Sequence, residues 1–232
     1  MTEELFREDS YLKSCDATVV ALADEGVVLD RTVFYPTGGG QPGDSGVLKF
    51  PGGGAQIVDT LKGDDGIVHV LDEGAQRPQV GDGVSVELDW DRRHKHMRMH
   101  TTLHLLCALV DGQITGAQVG ADKSRVDFNL SESPDKEALG VALNKLIAEN
   151  HAVALGWISD EELDAQPDLV RSMSVQPPRG SGRVRTVNID GVDLQPCGGT
   201  HVAATGEIGP MRIGKIENKG KQNRRINILF DE

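Results

Sequence analysis

The chain has 232 residues, with 38% hydrophobic and 26% charged side chains and a formal net charge of −12, which fits a folded globular protein with room for two small domains. No run of about 18 apolar residues occurs, so a membrane-spanning helix is not expected. The acidic opening at 1–7 lacks an apolar leader core, which makes the cytoplasm the expected compartment.

Three cysteines, Cys15, Cys107 and Cys197, are scattered and odd in number. That spacing does not read as a disulfide framework, and it leaves Cys197 available as a thiol or a metal ligand.

Residues 1–91 read as all-β. Short β-branched runs at 17–22, 26–29, 67–71 and 84–88 alternate with turn signals at 24–26, 52–54, 64–66 and 81–83. Short strands with Gly/Asp turns predict a small barrel. At Asp91 the pattern changes. Asp91 is the expected cap of a helix running to about 111, with Gly112 as its stop. Met97, Thr101, His104, Leu105 and Ala108 fall on one stripe, while Leu103, Leu106 and Val110 make the far side apolar as well, so the helix is expected to be buried. His94 and His96 are expected on its exposed first turn. A Gly-rich turn, a strand at 124–130 and a second helix over about 134–150 follow, with Ser133 as cap and Pro134 in the first turn. A short helix is expected at 160–166, a loop at 177–182, and strands at 184–189, around 211–217 and at 225–230. The whole reads as α+β, a β-barrel over 1–91 followed by a domain over 92–232 with long helices against an antiparallel sheet.

Charge divides at the same place. Residues 1–91 hold 18 acidic and 6 basic side chains, and residues 92–232 hold 18 of each. Within the second part the basic residues cluster twice, as Arg92, Arg93, Lys95 and Arg98, and as Arg212, Lys215, Lys219, Lys221, Arg224 and Arg225. A local cationic surface can bind phosphate on an acidic chain because salt screens charges beyond about 10 Å; two solvated charged faces are the plain alternative.

The chemistry concentrates in two pairs. His100 and His104 are spaced i, i+4 and share one face of the expected helix. Both can point at one ion, and two buried imidazoles in an apolar helix need a shared partner. Cys197 and His201 bracket Gly198-Gly199, which favours a tight loop over a helix. Sulfur added to two imidazoles is a set suited to zinc. The alternative makes Cys197 a small core residue and the glycines a plain turn. The His-Glu-x-x-His form is missing, so a zincin protease is not expected.

His100-Thr-Thr-Leu-His104 and Cys197-Gly-Gly-Thr-His201 together resemble the editing domain of alanyl-tRNA synthetase and the second additional domain of threonyl-tRNA synthetase. Arg98-Met-His-Thr, Ser124-Arg-Val-Asp-Phe, Gln195-Pro-Cys-Gly-Gly-Thr-His-Val and Ile216-Glu-Asn-Lys-Gly-Lys-Gln-Asn-Arg-Arg extend the likeness over 92–232. Upstream, residues 34–46 look like the glycine-rich motif of the barrel that precedes that domain. The whole chain resembles free-standing alanyl-tRNA editing proteins of the AlaX type in their two-domain form. The family often has alanine where Thr102 stands.

The resemblance implies hydrolysis of the aminoacyl ester of mischarged Ser-tRNA(Ala), and also Gly-tRNA(Ala), at the terminal adenosine, with no membrane or DNA partner. A synthetase pocket for alanine cannot strongly reject a small analogue, so a second hydrolytic site is needed. It also implies one zinc ion per chain, held by His100, His104, Cys197 and His201. Four protein ligands make a closed set, whereas a catalytic zinc keeps a position open, so one of the four stands behind the others or the ion expands to five-coordinate. Gln118 is expected at the aminoacyl group or a water, Thr200 near the metal, and Thr37 and Gln41 flanking Gly38-Gly39-Gly40 at the adenosine. Asp127 and Phe128 are expected to hold the sheet edge near the pocket. Arg92, Arg93, Lys215, Lys219, Lys221, Arg224 and Arg225 are expected at tRNA phosphates. The alternatives are a zinc hydrolase of another aminoacyl or acyl ester, and a zinc-stabilised RNA-binding module without catalysis.

Overall fold

The computed structural model describes residues 2–173, 176–177 and 182–231, and it divides into two compact units, Met1–His94 and Lys95–Glu232. In the first unit, β1 (Glu3–Glu4) pairs in parallel with the short β4 (Arg31–Thr32). Strands β2 (Ser14–Ala23), β3 (Gly26–Leu29), β5 (Gly46–Phe50), β6 (Gly53–Gly63), β7 (Gly66–Leu71) and β8 (Gly83–Leu88) close a barrel in the order β2-β3-β7-β6-β5-β8. Closure removes the unpaired edges that a six-stranded open sheet would present. Alternate residues point inward, and Val19, Val27, Leu29, Phe34, Leu48, Ile57 and Val86 fill the interior.

Two buried polar sets complete the barrel. The Arg93 guanidinium is fully buried and forks onto the Asp44 carboxylate, while also donating to the carbonyls of Ser10 and Val33. His69 is also fully buried. Its Nδ1–H donates to the Val27 carbonyl at 3.3 Å, so its Nε2 accepts from the Thr32 hydroxyl at 2.7 Å. Burial holds this imidazole down to about 4, so it is neutral in the fold.

Helix α1 (Trp90–Leu109) starts two residues earlier than its sequence suggests. Asp89, not Asp91, caps it, taking the Arg92 N–H at 3.1 Å on its carboxylate. From Met99 to Cys107 the helix is buried all round, as its two-sided apolar pattern requires. His96 is buried too, against the expectation of an exposed first turn, and His94 is half-buried and stacks on Trp90.

In the second unit a four-stranded sheet runs β14-β15-β10-β9, built from β9 (Ile114–Gln118), β10 (Lys123–Phe128), β14 (Met211–Gly220) and β15 (Asn223–Phe230). β10 lies inside this sheet, so Asp127 and Phe128 are not at an edge. Phe128 is in the core, and Asp127 is clamped by Arg125 and Arg225. Helix α2 (Lys136–Ala148) packs on β14 and buries Leu139, Leu143 and Ile147 at helical spacing. Its cap is Asp135 rather than Ser133, because the Asp135 carboxylate takes the N–H groups of both Glu137 and Ala138 at 2.9 Å. A second, three-stranded antiparallel sheet runs β11-β12-β13, from β11 (Val153–Ser159), β12 (Arg183–Ile189) and β13 (Asp193–Pro196). Helix α3 (Asp160–Asp164) begins with a capping box formed by Ser159 and Glu162. The antiparallel layer is therefore two sheets rather than one, and β9, β11 and β13 are additions to the expected strands. Of the loop expected at 177–182, residues 178–181 lie outside the described residues. The α+β class, the N-terminal barrel and the buried His-x-x-x-His helix are all present.

Candidate metal centre and active site

Helix α1 supplies half of the centre. His100 and His104 sit one turn apart, both under a tenth exposed, with ring centroids 5.6 Å apart. The other half comes from the loop that leaves β13. Cys197 donates its N–H to the Arg185 carbonyl at 3.0 Å. The Arg185 side chain returns to donate to the carbonyls of Cys197 at 2.8 Å and Gly199 at 2.9 Å. A buried arginine thus pins both ends of the tight loop, and the Gly199 N–H points at the Cys197 sulfur at 3.4 Å. This brings Cys197 Sγ to 3.3 Å from His201 Nε2 and 3.6 Å from His100 Nε2. The His201 ring centroid lies 4.4 Å from that of His100 and 4.7 Å from that of His104.

Hydrogen bonds fix which ring nitrogens face inward. The Thr101 hydroxyl spends its one proton on the Met97 carbonyl at 2.9 Å, so toward His201 Nδ1, at 3.1 Å, it can only accept. His201 therefore carries its proton on Nδ1 and offers a lone pair on Nε2. A carboxylate likewise only accepts, so Asp193 Oδ2, 3.0 Å from His104 Nδ1, places a proton on Nδ1 and turns His104 Nε2 toward the centre. Gln195 holds the same carboxylate oxygen through its amide N–H at 2.8 Å.

The electrostatics agree with a coupled set. Burial alone pushes the Cys197 thiol up, but His100 and His201 outweigh it and hold the group well below its ordinary value. Burial pulls His104 down, while hydrogen bonds and charge from Asp193 and Cys197 outweigh that and push it up to about 9, so at neutral pH its Nε2 also carries a proton, one that a bound metal ion would displace. Burial, aided by His100, holds His201 down to about 3. Burial pushes the Cys107 thiol up to about 12, which leaves it an inert packing residue.

The four ligand atoms all lie within 4.8 Å of one another. Three imidazoles and a thiol prone to ionise, with two lone pairs aimed by their outer hydrogen bonds, fit a divalent transition-metal ion. Asp193, Gln195, Thr101 and Arg185 are the site residues that sequence reading missed. A faint signal existed, since Asp193 and Gln195 alternate on a strand and so share a face four and two residues before Cys197.

The remaining candidates scatter. Thr200 is fully buried between Gly199 and His201. Gln118 is exposed on β9, and its side-chain oxygen accepts from Arg125 Nε at 3.2 Å. Gly38 and Gln41 exchange backbone hydrogen bonds at 3.0 and 2.9 Å across Gly39 and Gly40, whose φ values are 57° and 82°. Two consecutive positive φ angles make a tight primed turn, which explains those glycines by backbone conformation. Thr37 is exposed, with its hydroxyl accepting the Gly43 N–H at 2.7 Å, and Gln41 is buried.

Among the cations, Lys215, Lys219 and Lys221 are exposed along β14 and the turn after it. Arg225 is half-buried against Asp127, and Arg92 donates to the Gly43 carbonyl. Arg93 and Arg224 do not reach solvent phosphates. Arg93 is fully consumed by Asp44 and two carbonyls, and Arg224 is buried against Ser131, Asn218 and Gly220.

Comparison with known proteins agrees with this architecture. Residues 184–227 match the model of the threonyl and alanyl tRNA synthetase second additional domain, and residues 8–92 match that of the class II (A) tRNA synthetases. The alanyl-tRNA editing protein AlaX-M of Methanosarcina mazei is 41% identical over 97% of this chain and 95% of its own length. The AlaX-L protein of Pyrococcus horikoshii is 34% identical over 97% of this chain and 57% of its own. An alanine–tRNA ligase of Pyrobaculum neutrophilum is 38% identical over 93% of this chain, which corresponds to 25% of the ligase. With relatives this similar over nearly the full length, a barrel of the synthetase-like type and two ligand pairs gathered into one centre, the chain belongs to the family of AlaX alanyl-tRNA editing proteins.

Proposed function

We propose that this chain hydrolyses the seryl ester, and also the glycyl ester, of mischarged tRNA(Ala), using a zinc ion held by His100, His104, Cys197 and His201. Editing proteins of this family are aminoacyl-tRNA deacylases. The observation that carries the metal-dependent reading is the convergence of three imidazoles and one thiol within 4.8 Å. When bound there, zinc would polarise the ester carbonyl and lower the pKa of a water toward about 7.

The protein's own residues do the positioning. Asp193 and Thr101 hold protons at the outer nitrogens of His104 and His201, so the inner nitrogens stay available. Arg185 keeps the Cys197–His201 loop closed. Cys197 is the least buried of the four and marks the side from which the ester arrives. Thr200, Gln118, Thr37 and the 38–41 turn are the candidate contacts for the aminoacyl group and the adenosine. A polar group that pairs with the serine hydroxyl would leave that pairing unmade with alanine, which is how a hydrolytic site spares the correct product. Lys215, Lys219 and Lys221, with Arg92 and Arg225, are the candidate phosphate contacts, and they make binding fall steeply with salt.

The test is deacylation of Ser-tRNA(Ala) beside Ala-tRNA(Ala), with and without a chelator. Fast loss of serine, slow loss of alanine and chelator sensitivity are expected. His104→Ala and Cys197→Ala should both fall to the uncatalysed rate while tRNA affinity stays within a few-fold. Turnover retained without metal in either variant sinks the zinc role. Zinc-dependent loss of another aminoacyl group, with serine untouched, moves the substrate assignment. No loss of any ester leaves a binding module.

A further inference from the structure

Strand β13 contributes more to the candidate metal centre than the ligand that follows it, Cys197. Asp193 is 5% exposed overall, with its carboxyl sealed inside the fold. Its two oxygens are treated unequally. Oδ2 takes the His104 Nδ1–H at 3.0 Å and the Gln195 amide at 2.8 Å. Oδ1 is buried with no hydrogen-bond partner, and the nearest cation, Arg171 Nη2, stands at 3.6 Å. A buried carboxylate costs several kcal/mol of desolvation unless something compensates it. Here its hydrogen bonding is directed at one ring nitrogen of one metal-centre histidine.

The opposite histidine is held differently. His201 Nδ1 meets the neutral hydroxyl of Thr101, itself tied to Met97. A carboxylate behind one imidazole raises that ligand's basicity, whereas a hydroxyl only orients its ring.

We infer that Asp193 is a positioning residue that acts through His104, fixing its tautomer and strengthening it as a metal ligand, with Gln195 holding the carboxylate in line. The inference rests on the metal-centre reading above. Asp193, Gln195 and Cys197 leave β13 in one short run, so the strand that delivers the thiol also aims a histidine from another element. The two halves of the centre are joined by hydrogen bonds even before any ion is bound.

The test is zinc affinity of the purified full chain, measured by competition with a chromophoric chelator, with the zinc ion alone as probe. Asp193→Asn should weaken zinc by about 10- to 100-fold. With zinc restored to saturation, the deficit in Ser-tRNA(Ala) deacylation should sit in kcat and leave KM unchanged. Asp122→Asn, which neutralises an exposed carboxylate outside the centre, should bind zinc as the unaltered protein does. Gln195→Leu, which frees Oδ2 from its amide but keeps the carboxylate, should weaken zinc by a few-fold, and it decides the matter if Asp193→Asn does not fold. Folded Asp193→Asn and Gln195→Leu proteins that both bind zinc normally overturn the inference and reduce Asp193 to a packing residue. An unaltered protein that takes up no zinc removes the metal reading itself, a separate result visible before any variant is made.

Discussion

The two units bury the same kinds of polar side chain and treat them in opposite ways. In the barrel, His69 has both ring nitrogens answered from within, by Val27 and Thr32. Arg93 has its charge met by Asp44 and its remaining N–H groups by carbonyls. In the second unit, His104 and His201 have their outer nitrogens answered in this way, while their inner ones meet the Cys197 sulfur and one another. The lesson is that burial of a polar group does not distinguish structure from function. The difference lies in whether the hydrogen-bond accounting closes inside the protein. Where it closes, the group holds the fold together; where it leaves lone pairs converging on one point, the group is built to hold something else.

The sharpest way to break this comparison is Asp44→Ala. It leaves the Arg93 charge buried and unpaired and should cost about 3–5 kcal/mol, read as a drop in the urea midpoint. Added zinc should not recover that loss. A smaller effect is expected of the metal. Zinc at about 100 times its Kd should stabilise the unaltered protein by about 2.7 kcal/mol, seen as a raised melting temperature. Cys197→Ala should lose most of that gain, and an equal gain in the variant would remove the thiol from the ligand set.

A third test sharpens the contrast through pH. His69 titrates near 6.5 when unfolded and is held down to about 4 in the fold. Between those values the unfolded chain binds the extra proton, so this group's contribution is intact above about 6.5 and is lost as pH falls toward 4. The slope is about 1.4 kcal/mol per pH unit. The difference in slope between the unaltered chain and His69→Gln isolates it, because every other group is common to both. Equal slopes would mean His69 is not held neutral.

Much of this was legible in the residues, for reasons that particular positions make plain. The i, i+4 histidines on an apolar helix and the Cys-Gly-Gly-Thr-His loop report local geometry, and local geometry is what spacing encodes. Asp193 and Thr101 were not legible, because each acts across 89 and 100 residues of chain. Arg93 and Arg224 read as members of basic surface clusters, yet both are buried. Counting charges along a sequence cannot see Asp44 folding over one or the Ser131 carbonyl reaching the other. The caps moved by two residues in each case, from Asp91 to Asp89 and from Ser133 to Asp135, since neighbouring cap formers compete and the winner is set by where the chain enters the helix. Strand β9, with its glycine, looked like a turn, and its pairing with β10 is what makes it a strand.

The turn at 190–192 between β12 and β13 is short, with Gly191 at φ 68° and Val192 donating to the Ile189 carbonyl at 2.8 Å. It sets the register in which Ile189 faces Asp193 and Val187 faces Gln195. Successive side chains on a strand point to opposite faces, so a slip of β13 by one residue would turn Asp193 and Gln195 away together. Three residues of surface turn therefore act as a length standard for side chains they never touch, and a change in their number would be read out at His104 and Cys197 rather than at the surface.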